Sequence, residues 1–406
     1  MPCDRRLPLP RTLRIGVLAA LAAAGIAVFD AHYRFFDMVI YHDAIRWWLN
    51  GGDLYEYAAP VRGRLGFTYP PIAAVLLMPV AAVPAATAGW ANVGISMLAL
   101  AVVLTVLLRP ALRRHRRPGR VIAVAALLAV LTEPVRQTLG LGQINLVLFA
   151  FVVVDLMVVR AGGRRWAGAG VGVAAAIKLT PALFIVYLLV TGQWRAARTA
   201  IGTVAALTAA GFVLAPAETV RYFGDLLWRT GRVGAADAVA NQSLAGLLAR
   251  WDDTAAFPAG WWAMSTLVLL AVGLRRASLA HAAGDEITAL TLVGLTGNLV
   301  SPVSWTHHLV FLPIAVLVLA RSGLRDRRVG YVAAALAVYL IAVVSPIWFA
   351  PDDPMLGNAF TVTVVLLVLT LPVSPGPGPA DQPHRRQTPV PRARAVMSHP
   401  SRGRTP

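Results

Sequence analysis

Apolar runs of membrane-spanning length recur along the chain, separated by short connections rich in arginine. Candidate spans lie at 12–29, 86–108, 120–137, 143–159, 166–178, 180–192, 197–215, 259–274, 285–300, 307–320, 329–347 and 358–373. A helix of about 20 residues crosses the hydrocarbon core of a bilayer, so the pattern predicts an all-α polytopic membrane protein with about 12 transmembrane helices. The first run, "TLRIGVLAALAAAGIAVF", lacks a small-residue cleavage site followed by a soluble domain. It reads as a retained helix rather than a signal peptide.

Two stretches depart from the simple pattern. "YPPIAAVLLMPVAAVP" (69–84) is apolar but short and bounded by prolines, which suits a re-entrant or interfacial helix. The two halves around "IKLTP" are also short, and as a helical hairpin they would bring Lys178 to a break. Broken helices are tolerated in membranes where they line a polar cavity. The larger loops are 30–85 and 216–258. Within the first, Ile40, Tyr41, Ala44, Ile45 and Trp48 recur at helical spacing between Met38 and Asn50. "NGG" then offers Gly51 or Gly52 as a helix stop. This is a short amphipathic helix on the membrane surface, with Trp47 and Trp48 at headgroup depth.

Composition supports the membrane reading: 57% of the 406 residues are hydrophobic and 14% charged, with a mean hydropathy of +0.65. A soluble protein carries roughly 25% charged residues. The net charge of +18 would suit nucleic acid, but its placement does not. Arginines gather in "RPALRRHRRPGR", "RAGGRR", "QWRAAR" and "RSGLRDRR", the positive-inside signature of cytoplasmic connections. Charge parity then puts both termini in the cytoplasm and most carboxylates outside. These are Asp30, Asp37, Asp43, Asp53, Glu56, Glu218, Asp225, Asp237, Asp252, Asp253, Asp352 and Asp353. Residues 1–373 form one transmembrane domain, and 374–406, rich in Pro, Arg and Ser, read as a disordered basic tail. The single cysteine, Cys3, excludes an intrachain disulfide and a cysteine metal site. No H-E-x-x-H and no acid pair with ligand spacing is present, so metal independence is expected.

Candidate chemistry concentrates in the outer loops. Asp37 has two readings: an N-cap for the surface helix, or a general base at the membrane surface. Asp43 is a reserve for that role, and its structural alternative is an ion pair with Arg46 three residues on. Asp53 and Glu56 read as loop solvation. Lys178, inside an apolar stretch, either snorkels to the headgroups or meets an anion in a cavity. His307 and His308, after the helix-breaking Pro302, either solvate the interface or bind an anionic group. Gln143 and Asn145 in "GQIN" and Asn241 and Gln242 in "NQS" either cap loops or bind sugar hydroxyls, because an amide offers both donor and acceptor. Tyr69 is either a belt aromatic or a stacking surface.

Six segments occur in a fixed order: "FDMVIYHDAIRWWLNGGDLYEY", "FTYPPIAAVLLMPVAAVP", "GLGQINLVLFAFVVVDL", "GVAAAIKLTPALFIVYLLVTGQWRAA", "NQSLAGLLAR" and "SPVSWTHHLVFLPIAV". Together, over roughly residues 30–320, they resemble glycosyltransferase family 87, the polyprenol-phosphate-mannose-dependent mannosyltransferases of actinobacterial envelopes. The resemblance implies the multi-pass GT-C architecture with a catalytic acid in the first extracytoplasmic loop, carried by position onto Asp37. It implies an inverting transfer of mannose from a polyprenyl phosphate to a lipid-linked glycan such as a phosphatidylinositol mannoside, lipomannan or lipoarabinomannan. The new linkage would be an α-(1,2)-type mannoside, made without a cofactor. Lys178, His307 and His308 then fall to the donor phosphate, and Asp43, Tyr69, Gln143, Asn145, Asn241 and Gln242 to sugar and acceptor. The same fold could take another polyprenyl-phosphate sugar, such as arabinofuranose. A lipid or solute transporter fits less well, since internal repeats are absent and the acids gather in loops rather than at the midplane.

Overall fold

The computed structural model describes residues 31–59, 65–251 and 259–374, together with Gly25, Val28 and Phe29. Most of the first candidate span, Asp30, Asp252, Asp253 and the tail beyond Ser374 lie outside the described residues. The chain runs through α1 (Phe36–Leu49), α2 (Pro71–Leu77), α3 (Ala85–Leu107), α4 (Arg109–Arg114), α5 (Pro118–Leu131) and α6 (Glu133–Gly140). It continues through α7 (Asn145–Val154), α8 (Ala169–Ile177), α9 (Leu183–Val190), α10 (Trp194–Leu214), α11 (Pro216–Gly224) and α12 (Leu244–Trp251). The last third comprises α13 (Ala259–Ala282), α14 (Glu286–Val300), α15 (Leu312–Asp326), α16 (Val329–Val344) and α17 (Ala359–Thr370). Among the described residues there is no strand, only an isolated bridge between Asn241 and Trp305.

Four helices, α3, α10, α13 and α16, are long and apolar enough to cross a membrane, and the bent pair α5–α6 would make a fifth. Their outward side chains are apolar: Ile95, Leu98, Val213, Leu267 and Leu336 are each more than half exposed. Such a continuous apolar exterior is penalised in water and matched by lipid. α14 is the opposite case, with every residue from Thr288 to Leu299 buried. It packs against α13, α15 and α17 at the centre of the bundle, as expected of a helix apolar on nearly all faces.

Two expected spans are corrected. The run at 120–137 is not one helix: it bends by 84° between α5 and α6. Thr132 is extended (ψ 142°) and Pro134 occupies the first turn of α6, where its missing N–H costs nothing. The span expected at 259–274 continues to Ala282, so Arg275 and Arg276 lie within a helix rather than a connection. Arg276 is spent on the C-terminus of α17, donating to the carbonyls of Val368 and Leu371.

The hairpin around "IKLTP" is present. α8 stops at Ile177, Lys178 is extended (φ −143°, ψ 130°), and a 3-10 turn over Thr180–Ala182 leads into α9. Pro181 cannot continue the α8 hydrogen-bond ladder, which explains the break. The 69–84 segment is likewise a short broken helix, α2 followed by a 3-10 turn over Met78–Ala82.

Candidate active site

α1 buries Met38, Ile40, Tyr41, Ala44 and Ile45 and stops at Asn50, with Gly51 beyond it in the left-handed region (φ 91°). Its start is unusual. Phe35, not a polar residue, occupies the N-cap position (φ 48°), and the backbone N–H groups of Asp37 and Met38 both donate to Leu141 O at 3.0 Å. The N-cap reading of Asp37 is therefore overturned. Its carboxylate makes no cap, because a neighbouring loop carbonyl already serves the orphan amides.

The freed carboxylate points to a cavity of about 500 Å³ and accepts a hydrogen bond from Gln143 Nε2 at 2.7 Å. The orientation of that amide is fixed by a relay. Tyr41 OH donates to Tyr69 OH (3.0 Å), and Tyr69 OH donates to Gln143 Oε1 (2.8 Å), leaving the Gln143 N–H for Asp37. Gly142 makes the approach possible: its φ is +75°, and a Cβ there would lie 2.5 Å from Met38 Cβ. Asp37 is accessible from the cavity but enclosed by protein elsewhere. Burial pushes its pKa up to about 6, against the opposing pull of the Gln143 hydrogen bond and the Lys178 charge.

Lys178 enters the same cavity from the break between α8 and α9. Its ammonium donates to Asn145 Oδ1 and to His308 Nε2, both at 2.9 Å, and lies 5.3 Å from the centre of the Tyr69 ring. An ammonium only donates, so His308 accepts at Nε2 and carries its proton on Nδ1. The Thr306–His308 turn is clamped through its backbone. Asn145 Nδ2 and Thr138 Oγ1 donate to His307 O, and Asn298 Nδ2 donates to His308 O. The His307 ring lines the cavity with its Nε2 buried and without a hydrogen-bond partner.

Of the residues predicted from sequence, Asp37, Tyr69, Gln143, Lys178, His307 and His308 line this one cavity. Tyr69 is buried, so the belt reading is overturned. Asn145 sits behind the wall as the partner of Lys178, its Oδ1 accepting from the ammonium and its Nδ2 donating to His307 O. Two predictions are corrected. Asp43 does not line the cavity and does not pair with Arg46; it meets His42 Nδ1 (2.7 Å) and Tyr57 OH (3.4 Å) instead. Asn241 and Gln242 are 0% exposed and clip backbone to backbone: Asn241 reaches Ala236 O, Pro302 O and Ser304 N, and Gln242 reaches Val239 O and Gly357 O. With every amide group committed, neither is available to a sugar. Asp53 and Glu56, read as loop solvation, stay part-exposed at the surface, where both pair with Arg221.

Sequence reasoning missed Tyr41, Gln137, Thr306 and Trp348 on the cavity wall and Glu133 behind it. Tyr41 carried a weak signal, since a tyrosine at an apolar helical position must bring its hydroxyl to a partner. Glu133 was hidden inside an apparent span. Among the described residues, no group of three or more His, Cys, Asp or Glu could hold a metal ion.

The family model described as glycosyltransferase family 87 matches residues 67–302. A Mycobacterium tuberculosis protein named polyprenol-phosphate-mannose-dependent alpha-(1-2)-phosphatidylinositol mannoside mannosyltransferase is 36% identical over 352 residues, covering 81% of this chain and 82% of its own. A protein of the same name from Mycolicibacterium smegmatis is 32% identical over 338 residues, covering 78% and 76%. A second from that organism, named for the phosphatidylinositol pentamannoside, is 30% identical over 370 residues, covering 86% and 87%. No solved structure matches. A family model spanning more than half the chain and relatives aligned over most of their length lead to one conclusion: the chain belongs to glycosyltransferase family 87.

Proposed function

We propose that this protein transfers mannose from polyprenyl-phosphate mannose to a phosphatidylinositol-mannoside-type glycolipid, forming an α-(1,2) linkage outside the cytoplasmic membrane. The observation that carries the reading is that the Asp37 carboxylate and the Lys178–His308 pair line the same cavity. The relatives' names support the donor and the acceptor class.

The chemistry follows from the residues. The acceptor hydroxyl oxygen attacks the anomeric carbon on the face opposite the phosphate, and its proton passes to Asp37. The bond between that carbon and the phosphate oxygen breaks, and its electron pair leaves with the polyprenyl phosphate. Lys178, with its three donors, meets that phosphate as its charge develops, and His308 holds the ammonium in place. Inversion at a β-linked donor gives the α-mannoside. A phosphate is a good leaving group, so a strong general acid is unnecessary, and no metal or cofactor takes part.

The topology that goes with this reading keeps twelve crossings and both termini in the cytoplasm. What supports it is the parity of the arginine-rich segments at 109–120, 160–165, 193–198 and 321–328. The test is transfer by the purified protein in lipid vesicles from radiolabelled polyprenyl-phosphate mannose, with linkage analysis of the product. A new 2-linked mannose is expected. Transfer from polyprenyl-phosphate arabinofuranose but not from the mannose donor would replace the sugar, and transfer from neither would overturn the reading.

A further inference from the structure

We propose that Trp348 is the platform on which the terminal sugar of the acceptor stacks, and that Glu133 is the positioning residue that holds it there. This rests on the transferase reading above. Trp348 belongs to the 3-10 turn after α16, outside the region matched by the family model, and is 46% exposed. It lines the cavity that holds Asp37.

Its ring is fixed rather than free. The indole N–H donates to Glu133 Oε1 at 2.7 Å, and Glu133 is only 2% exposed. The same carboxylate accepts from Arg136 and from Gln137 Nε2. A buried carboxylate is kept at a cost unless donors surround it, and here three side chains do so. The network then returns to the cavity. Gln137 Oε1 accepts from Thr306 Oγ1 at 2.6 Å, and Gln137, Thr306 and Trp348 all line the wall. One buried anion thus sets an aromatic face and two hydrogen-bonding side chains in a single arrangement.

That combination is chemistry for a sugar. The apolar C–H face of a pyranose matches an indole, and its hydroxyls match an amide and a hydroxyl that keep unused capacity. The division between donor and acceptor follows from the neighbouring space. Lys178, Thr180 and His308 also line an adjoining apolar crevice of about 60 Å³ with Phe149, Phe184 and Phe311, which suits the prenyl end of the donor. Trp348, Gln137 and Thr306 line none of that crevice. The wall they form is left for the acceptor.

The experiment is steady-state transfer in vesicles with a short-chain alkyl mannoside as the acceptor and polyprenyl-phosphate mannose as the donor, each varied in turn. Trp348→Ala is expected to raise the acceptor KM about tenfold, the loss of one good aromatic contact. Donor KM should stay within about twofold, which separates the effect from a general loss of structure. Trp348→Phe, which keeps a ring, should recover most of the affinity. Glu133→Gln should raise the acceptor KM by a smaller factor, through the looser indole. An unchanged acceptor KM in Trp348→Ala, or an effect confined to donor KM, would overturn the assignment while leaving the transferase reading intact. No transfer by the unaltered protein from any polyprenyl-phosphate sugar would overturn both.

Discussion

Asp37 and Asp43 sit six residues apart on α1, and at 3.6 residues per turn they point about 120° away from one another. Asp37 lies against the cavity, oriented by the relay from Tyr41 through Tyr69 and Gln143 and influenced by the charge of Lys178. The Asp43 side chain is 42% exposed and is held by His42, whose other ring nitrogen reaches Val83 O at 3.0 Å. One carboxylate is enclosed, costly to ionise and aimed at a space large enough for a sugar. The other is solvated and structural. Residue type and proximity to the membrane are the same for both, so neither property identifies the base. What distinguishes them is which face of one helix meets the loop before α7.

The comparison can be broken most severely at Asp37 itself. Asp37→Asn should lower turnover by at least about a hundredfold, because the amide cannot accept the acceptor proton. Near-normal turnover in vesicles would end its role as base. The same role fixes the pH dependence. Asp37 works ionised, and its pKa stands at about 6, so kcat/KM should fall about tenfold for each pH unit below that value.

A subtler change sharpens the contrast. Gln143→Leu removes a hydrogen bond that favours the ionised carboxylate, so the pKa of Asp37 must rise further. The acidic limb of the rate profile should move upward by about half to one pH unit. A role for Gln143 in packing alone would lower the rate without moving that limb. The smallest effect belongs to the other carboxylate: Asp43→Asn should leave turnover within about twofold, since this part-exposed carboxylate does not line the cavity. A loss as large as that of Asp37→Asn would reverse the assignment of the two acids.

The amides show the same division. Gln143 and Gln242 both follow loop-like sequence and both read as candidates for a sugar. Gln143 turned out to hold the candidate base, whereas Gln242 joins Val239 and Gly357 through their carbonyls and is closed to any ligand. Hydrogen-bonding capacity is written in a residue's identity. Whether the backbone consumes it depends on partners more than a hundred positions away, here Gly357 for Gln242 and Asp37 for Gln143.

Short-range physics made much of the molecule legible from the chain alone. Apolar periodicity marked the helices, Gly51 ended α1, and Pro181 broke the helix so that α8 stops with Lys178 as its extended C-cap. An isolated lysine among apolar residues already required a cavity or a partner, because its charge cannot be left bare in a bilayer. Long-range contacts decided the rest. The Leu141 carbonyl took over the capping of α1 and freed Asp37, an 84° bend turned an apparent span into a wall bearing Gln137 with Glu133 behind it, and Trp348 was brought beside Glu133, 215 positions earlier. Periodicity fixes which residues share a face, since it is set by the backbone within a few residues. Which face meets which is settled only when distant segments satisfy each other's buried polar groups.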